Sequence, residues 1–251
     1  MRALVRRPSP LLADCELTHL DRQPIDAARA RAEHEAYVAL LASLGAEPVW
    51  VEDAPEHPDG VFVEDVAVMA GALAVLTRPG AESRRGEVAT MRAALRRLGV
   101  PTEELAAPAH LDGGDVLRID RTFYVGDTAR TNAAGRAAFS AVVAGHGFDV
   151  VTVPVSGVLH LKSGATALPD GTLVVWPGSV DLAAFGRREV LEAAEPQGAD
   201  VLLVGEAVVV SAAAPRTAEA IAARGFAVHR VDVAELEKAE AGTTCMSVLL
   251  D

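Results

Sequence analysis

The order of strands and helices limits this chain's fold more than any other feature. Short apolar strands occur in pairs around a polar or glycine turn, and each pair is followed by an amphipathic helix and a further strand. VAVMAGALAVL leads into ESRRGEVATMRAALRRLG, where Val88, Met91, Leu95 and Leu98 recur three or four residues apart. DVLRIDRTFYVG leads into TNAAGRAAFSAVVAGHG and the strand FDVVTVPV. ATALPDGTLVVW, with Pro-Asp-Gly at its turn, leads into DLAAFGRREVLEAA as a helix and ADVLLV as a strand. VLLVGEAVVVSA leads into RTAEAIAARG and FAVHRV. The N-terminal ALVRRP, a helix over residues 27–44 and the C-terminal MSVLL would supply a fifth copy, divided between the chain ends. Repeats of this kind bury their faces against neighbours. Two α/β architectures fit: a closed ring, in which the last strand pairs back to the first, and an open doubly wound sheet. The hairpins are antiparallel, so a purely parallel sheet fits less well, while periodicity alone leaves closure open.

Half of the 251 residues are apolar, enough for a single domain over 1–251. No apolar run reaches the roughly 18 residues of a membrane span. No apolar stretch follows MRALVRRPSP, so no secretory signal is expected and a cytoplasmic location is. The two cysteines, Cys15 and Cys245, lie far apart in no CxxC or Cys/His cluster, which argues against zinc and against a disulfide framework. A net charge of −12 disfavours nucleic acid and anionic membranes as partners and is compatible with a cationic small molecule.

Polar residues cluster where strands end. PDGVFVEDVAVM sets Asp59, Glu64 and Asp65 close together, and such carboxylates repel unless something cationic sits among them. Glu64 and Asp65 lie between Val63 and Val66, which places at least one of them at a partly buried strand edge. In HLDGGDVL, Gly113 and Gly114 permit positive φ and close backbone approach, so this loop can present Asp112 or Asp115 to a pocket. His160 stands between Leu159 and Leu161 in GVLHLKSG. Cys245 ends GTTC just ahead of an apolar strand; with a histidine elsewhere it is a candidate nucleophile. Papain-type flanks and GxSxG are absent. Arg78 and Arg130 both follow the second strand of a hairpin, so two repeats would deliver two guanidinium groups to one rim, each able to bind a carboxylate.

Taken together and in order, PDGVFVEDVAVM, TRPGAxSRRxEV, LDGGDVL, FYVGxTxRTNxxG, GVLHLKSG and TCMSVLL resemble the dimethylarginine dimethylaminohydrolases. The resemblance runs from about Ala27 to the last strand. It implies the pentein fold, a five-bladed β/α propeller of ββαβ units, which agrees with the repeat reading. It also implies Cys245 as nucleophile, His160 as acid/base and Asp112 as its supporting carboxylate. Asp59, Glu64 and Asp65 would hold a guanidinium, Arg78 and Arg130 would grip an α-carboxylate, and Leu20 with the main chain at Ala239 would line the amino-acid end. Gly60 and Met246 depart from some relatives without removing a catalytic group. The implied reaction is hydrolysis of methylated L-arginine to citrulline, with no metal or organic cofactor, in a monomer or homodimer. Arginine deiminases carry His-x-Asp where this chain reads His160-Leu161-Lys162, which disfavours them; amidinotransferases are usually longer, and a non-catalytic binding protein has no need of Cys245 and His160 together.

Overall fold

Each strand pair read from the sequence forms an antiparallel hairpin, and the next strand returns parallel to the hairpin's second strand. The computed structural model describes residues 1–250. It begins with β1 (Arg2–Val5), α1 (Ala27–Ser43) and β2 (Glu47–Trp50). The next unit is β3 (Ala67–Ala70), β4 (Leu73–Leu76), α2 (Val88–Arg97) and β5 (Thr102–Glu104), followed by β6 (Val116–Ile119), β7 (Thr122–Asp127), α3 (Ala133–Ala144) and β8 (Asp149–Pro154). A single helical turn, α4 (Leu161–Gly164), precedes β9 (Ala165–Ala167), β10 (Leu173–Val175) and β11 (Val190–Glu192). Then come β12 (Leu202–Val204), β13 (Ala207–Ser211), α5 (Pro215–Ala223), β14 (Ala227–Val231), the short α6 (Ala234–Glu237) and β15 (Val248–Leu250). Over the described residues the protein is thus α/β with five separate three-stranded sheets. The sheet split between the chain ends is present: β15 pairs antiparallel with β1, Arg2 opposite Leu250, and β1 pairs parallel with β2.

Strand alternation joins the sheets. Successive side chains of a strand point to opposite faces, and here the two faces feed different apolar clusters. On β1, Leu4 packs with β3, β4 and α2, while Ala3 and Val5 pack with β12, β13 and α1. Val116 on β6 joins the cluster shared with β3 and β4, and Leu117 joins that of β9 and β10. Leu173 and Val175 turn to that same cluster, whereas Val174 turns to Val208, Val210 and Ile221. Each sheet therefore contributes to two clusters and shares each with a different neighbour.

Local signals fix the helix starts. The Asp26 carboxylate accepts from the amides of Ala28 and Arg29 at the head of α1, Asn132 accepts from Gly135 at α3, and α5 begins on Pro215. The helix expected over DLAAFGRREVLEAA does not form. Only a 3₁₀ turn, Leu182–Phe185, is present, and Gly186, left-handed at φ 68°, ends it. Val190–Glu192 then closes the third sheet, so Leu202–Val204 opens the fourth instead of completing the third. Among the described residues no helix is long and apolar enough to cross a membrane.

Candidate active site

The polar segments picked out in the sequence share one structural address: each stands just before the first strand of a sheet. Glu64 and Asp65 lie in the 3₁₀ turn entering β3, Asp112 and Asp115 flank the Gly-Gly turn entering β6, and His160 caps α4 ahead of β9. Asp200 precedes β12 and Cys245 precedes β15. The first strands β3, β6, β9, β12 and β15 jointly line a cavity of about 460 Å³ that also touches Glu64, Lys162 and Thr244. Neither a cysteine nor a histidine lines that cavity; Cys245 and His160 border a second, narrower one, together with Asp65, Asp59, Arg84 and Arg130.

His160 is the best-anchored group of this second cavity. Its Nε2 lies 3.1 Å from Asp112 Oδ2 and its Nδ1 3.9 Å from Asp65 Oδ1, with the ring almost wholly buried. Asp112 is itself fixed, since Oδ1 accepts from the Gly80 amide at 2.8 Å. Asp115 orients the backbone that carries the histidine: Oδ1 accepts from the Leu161 amide at 3.0 Å, and Oδ2 from Thr128 and Thr131 hydroxyls at 2.6 Å each. Burial works to lower the imidazole pKa, but Asp65, the Asp112 hydrogen bond and Asp115 together outweigh it and raise it to about 9. The histidine is therefore a cation at neutral pH. Gly114 makes this packing possible, because a Cβ there would lie 2.4 Å from His160 Nδ1; one at Gly113 would lie 2.0 Å from the Glu64 carbonyl oxygen. Both glycines serve close approach, and neither has positive φ.

The cations that the Asp59–Glu64–Asp65 cluster requires come from the protein. Arg84, nearly buried, donates to Asp65 Oδ2 at 2.5 Å, to both Glu87 oxygens at 3.0 Å, and to the Phe62 carbonyl at 3.0 Å. Burial works to raise the Asp65 carboxyl, but His160 and Arg84 prevail and hold it below the usual carboxylate range. Glu64 pairs with Lys162 through Oε1 and accepts from Thr244 Oγ1 at 2.8 Å through Oε2; burial nevertheless pushes it up to about 7. Asp59 accepts from the Glu16 amide at 3.2 Å, and burial raises it to about 6.

Cys245 is buried with its Sγ 3.3 Å from the Gly242 amide nitrogen. Asp200 shapes its loop, accepting from the Thr244 amide at 2.9 Å and from the Thr243 hydroxyl at 3.2 Å. Burial, reinforced by Asp200, Glu64 and Asp65, raises the thiol pKa well above its ordinary value. With no cation added, the sulfur is held as a thiol.

At the outer end, Ala239 borders the cavity, and Leu20 lines an adjoining one of about 230 Å³. Arg130 also borders the Cys245–His160 cavity, donating to Thr18 Oγ1 at 3.1 Å and lying 4.0 Å from Asp112 Oδ2. Arg78 does not reach it. Arg78 pairs with Leu111 as an isolated bridge, and its guanidinium turns to the Ala109 carbonyl at 3.4 Å. Arg84 borders the cavity in its place. Asp65, Asp112 and His160 also bring three potential metal donors within 4.8 Å of one another, but both carboxylates are already engaged by protein donors: Arg84 and Gly114 on Asp65, Gly80 and His160 on Asp112.

A buried cysteine and a carboxylate-held histidine thus border one carboxylate-walled cavity in a frame of five small sheets, and the comparisons place that arrangement among the guanidine-modifying enzymes. The family model for eukaryotic N,N dimethylarginine dimethylhydrolases matches residues 18–213. The chain is 46% identical to the N(G),N(G)-dimethylarginine dimethylaminohydrolase of Streptomyces coelicolor over 254 residues, which span 99% of this chain and 96% of that protein. Two solved structures superpose closely. One is a dimethylarginine dimethylaminohydrolase with a histidine-to-glycine change, as its adduct with S-methyl-L-thiocitrulline (TM-score 0.93, 33% identity, 99% of both chains). The other is a cysteine-to-serine mutant of the Pseudomonas aeruginosa enzyme complexed with citrulline (TM-score 0.92, 32% identity, 99% of this chain and 98% of that one). The chain belongs to the dimethylarginine dimethylaminohydrolase family.

Proposed function

We propose that this protein hydrolyses N(G),N(G)-dimethyl-L-arginine, and N(G)-monomethyl-L-arginine with it, to L-citrulline and the corresponding amine, using Cys245 as nucleophile and His160 as acid and then base. The observation that carries the reading is the pairing of charge states: a histidine held as a cation and a thiol held neutral, both facing one cavity walled by carboxylates.

Delocalisation makes a guanidinium carbon a poor electrophile, so placement matters more than activation of the carbon. Asp65 and Asp59, which border the Cys245 cavity, hold the cation with its carbon in reach of Cys245, and Glu64, engaged by Lys162 and Thr244 on the side of the neighbouring cavity, adds negative charge without bordering the Cys245 cavity itself. The incoming positive charge offsets the carboxylates that oppose ionisation of the thiol, so the proton leaves to solvent and the thiolate forms with substrate in place. Sulfur adds to the guanidinium carbon, His160 donates its proton to the departing dimethylamine, and the carbon–nitrogen bond breaks. An S-alkyl thiouronium remains on Cys245. Neutral His160 then takes a proton from water, the hydroxyl adds to the same carbon, the carbon–sulfur bond breaks, and citrulline leaves. Asp112 orients the imidazole throughout, and Arg130, with Arg84 nearby, supplies the positive charge for the α-carboxylate.

On this reading the five sheets form a five-bladed propeller within one catalytic domain. Support comes from the apolar clusters, in which each sheet shares one cluster with the sheet before it and another with the sheet after, the split sheet closing the cycle.

Citrulline formation from asymmetric dimethylarginine, run beside arginine and N-hydroxyarginine, tests the proposal, with Cys245→Ser as the blank. Product from the dimethylated substrate, absent with the serine variant, is expected. Product from arginine alone would overturn the substrate assignment, and turnover by the serine variant would overturn the nucleophile.

A further inference from the structure

Residues 16–26 carry no helix or strand, so the backbone amides of this segment have no ladder to join. Three consecutive amides, those of Thr18, His19 and Leu20, converge instead on one side chain more than two hundred residues away. Glu240 accepts from the Thr18 amide at 3.0 Å, from His19 at 2.5 Å and from Leu20 at 2.5 Å. Apolar burial does not hold this strap at Leu20, which is 49% exposed. Glu240 itself is one of two non-glycine residues at positive φ among the described residues, at 61°. That backbone geometry is uncommon for a residue with a side chain. Glu240, Ala241 and Leu159 border both the catalytic cavity and the adjoining 230 Å³ cavity, and His19 and Leu20 line the latter. Glu240 thus stands in the wall between them, with the strap hanging from it.

Thr18 has a second tie, the Arg130 guanidinium on its Oγ1 at 3.1 Å, while Arg22 further along is held by the Ala13 and Cys15 carbonyls, which its guanidinium reaches as a donor. Arg130 is also the residue assigned above to the substrate α-carboxylate. A carboxylate is a stronger acceptor for a guanidinium than a hydroxyl, so substrate arriving at Arg130 draws it from Thr18. The Glu240 tie does not compete with that carboxylate, because it uses backbone amides as donors.

Resting on the proposed hydrolysis of methylated arginine, we propose that Glu240 is a positioning residue for the amino-acid end of the substrate: it fixes the Thr18–Leu20 strap through three amides while Arg130 changes partners. Its effect is confined to substrates that carry the α-amino acid group and does not extend to the guanidinium chemistry at Cys245.

The test compares Glu240→Ala and Glu240→Gln with the unaltered protein. Loss of hydrogen bonds to a charged acceptor corresponds to a KM for dimethylarginine raised by about tenfold or more in Glu240→Ala, with kcat reduced by no more than about threefold. Glu240→Gln, whose amide oxygen still accepts, recovers most of the loss. N-butyl-N′,N′-dimethylguanidine, which lacks the amino-acid end, is turned over by Glu240→Ala with kcat/KM within about twofold of the unaltered protein. Independently of turnover, tryptic cleavage after the exposed Arg22 accelerates in Glu240→Ala while the thermal midpoint stays in place. Equal losses on both substrates, or unchanged KM with unchanged cleavage at Arg22, would overturn the proposal. If the unaltered protein makes no citrulline, the reaction assigned above is wrong, and amide hydrogen exchange at Thr18, His19 and Leu20, faster in Glu240→Ala if Glu240 holds them, still decides whether it holds the strap.

Discussion

Replacing Asp112 with asparagine isolates the contribution of one carboxylate to the charge of His160. The substitution preserves shape and leaves an oxygen to face Nε2, but removes the negative charge 3.1 Å from it. A hydrogen bond to a charged group contributes about 1.5–3 kcal/mol, and one pKa unit corresponds to about 1.4 kcal/mol. The imidazole should therefore fall by about one to two units from its raised value of about 9. Asp65 and Asp115 remain in place, so it should not fall below its ordinary 6.5. Imidazole ¹⁵N NMR measures this directly, with His160→Gln identifying the resonance among the seven histidines. The kinetic counterpart is an activity deficit that widens as pH rises from 7 to 9, because the variant loses its proton donor there while the unaltered protein keeps it. An unmoved pKa, or a deficit constant across that range, would refute the electrostatic role of Asp112 and leave it only the placement of the ring. The sign for stability is the same: a raised folded-state pKa contributes stability below 6.5, and that contribution is lost as pH rises through about 9.

Two further predictions concern buried groups. Arg84→Gln removes the buried guanidinium that bonds both Asp65 and Glu87, leaving Asp65 only His160 as a counter-ion, and should lower stability by about 3–5 kcal/mol. Arg78→Gln, which breaks one long bond to a carbonyl, should cost less than about 1 kcal/mol; urea unfolding of the pair checks the contrast, and equal costs would contradict the placement of Arg84. His34 is fully buried with neither ring nitrogen bonded to a protein partner, and burial, then Arg7, lowers its pKa to about 4. The unfolded chain takes up a proton near 6.5, so stability should fall by about 3 kcal/mol between pH 6.5 and pH 4 through this residue alone. His34→Leu should remove that share of the acid sensitivity, as measured by urea unfolding at pH 7 and pH 4; an unchanged pH dependence would rule His34 out as its source.

Much of this arrangement is written in short-range pattern. Period-two strands, glycine turns and amphipathic helices mark the units, and the fifth unit is legible despite its division because its two halves carry the same signals. The third unit misled the reading: DLAAF begins like a helix, but Gly186 admits only one turn. Asp112, His160 and Cys245 stand at the same point of their units, ahead of the first strand, and the resemblance of the motifs taken in order groups them. The arginines are different. Thr77 turns inward, its hydroxyl donating to the Asp65 carbonyl at 2.5 Å, and the next residue, Arg78, points the other way. Arg130 lies one residue further from its strand end, in a bend where its amide donates to Thr128 Oγ1 at 3.1 Å, so the chain has already turned. Which arginine of SRR enters the cavity is set by the phase of the 3₁₀ turn Glu82–Glu87, which no apolar pattern records. Asp200 left a trace that could have been used, a lone carboxylate between Ala199 and Val201 at the mouth of a buried strand. Glu240 left none, because its partners are backbone amides of a segment with no pattern.

The five turns ahead of the first strands stand at the cavity those strands line, and on the proposed mechanism each supplies the centre with something different: carboxylates at Asp65 and at Asp112, the imidazole at His160, the brace at Asp200, the sulfur at Cys245. No sheet can open without withdrawing its own contribution. On that mechanism catalysis is a sensor for the integrity of the whole frame, and a local fluctuation in any one of the five sheets, wherever it begins, silences the same centre.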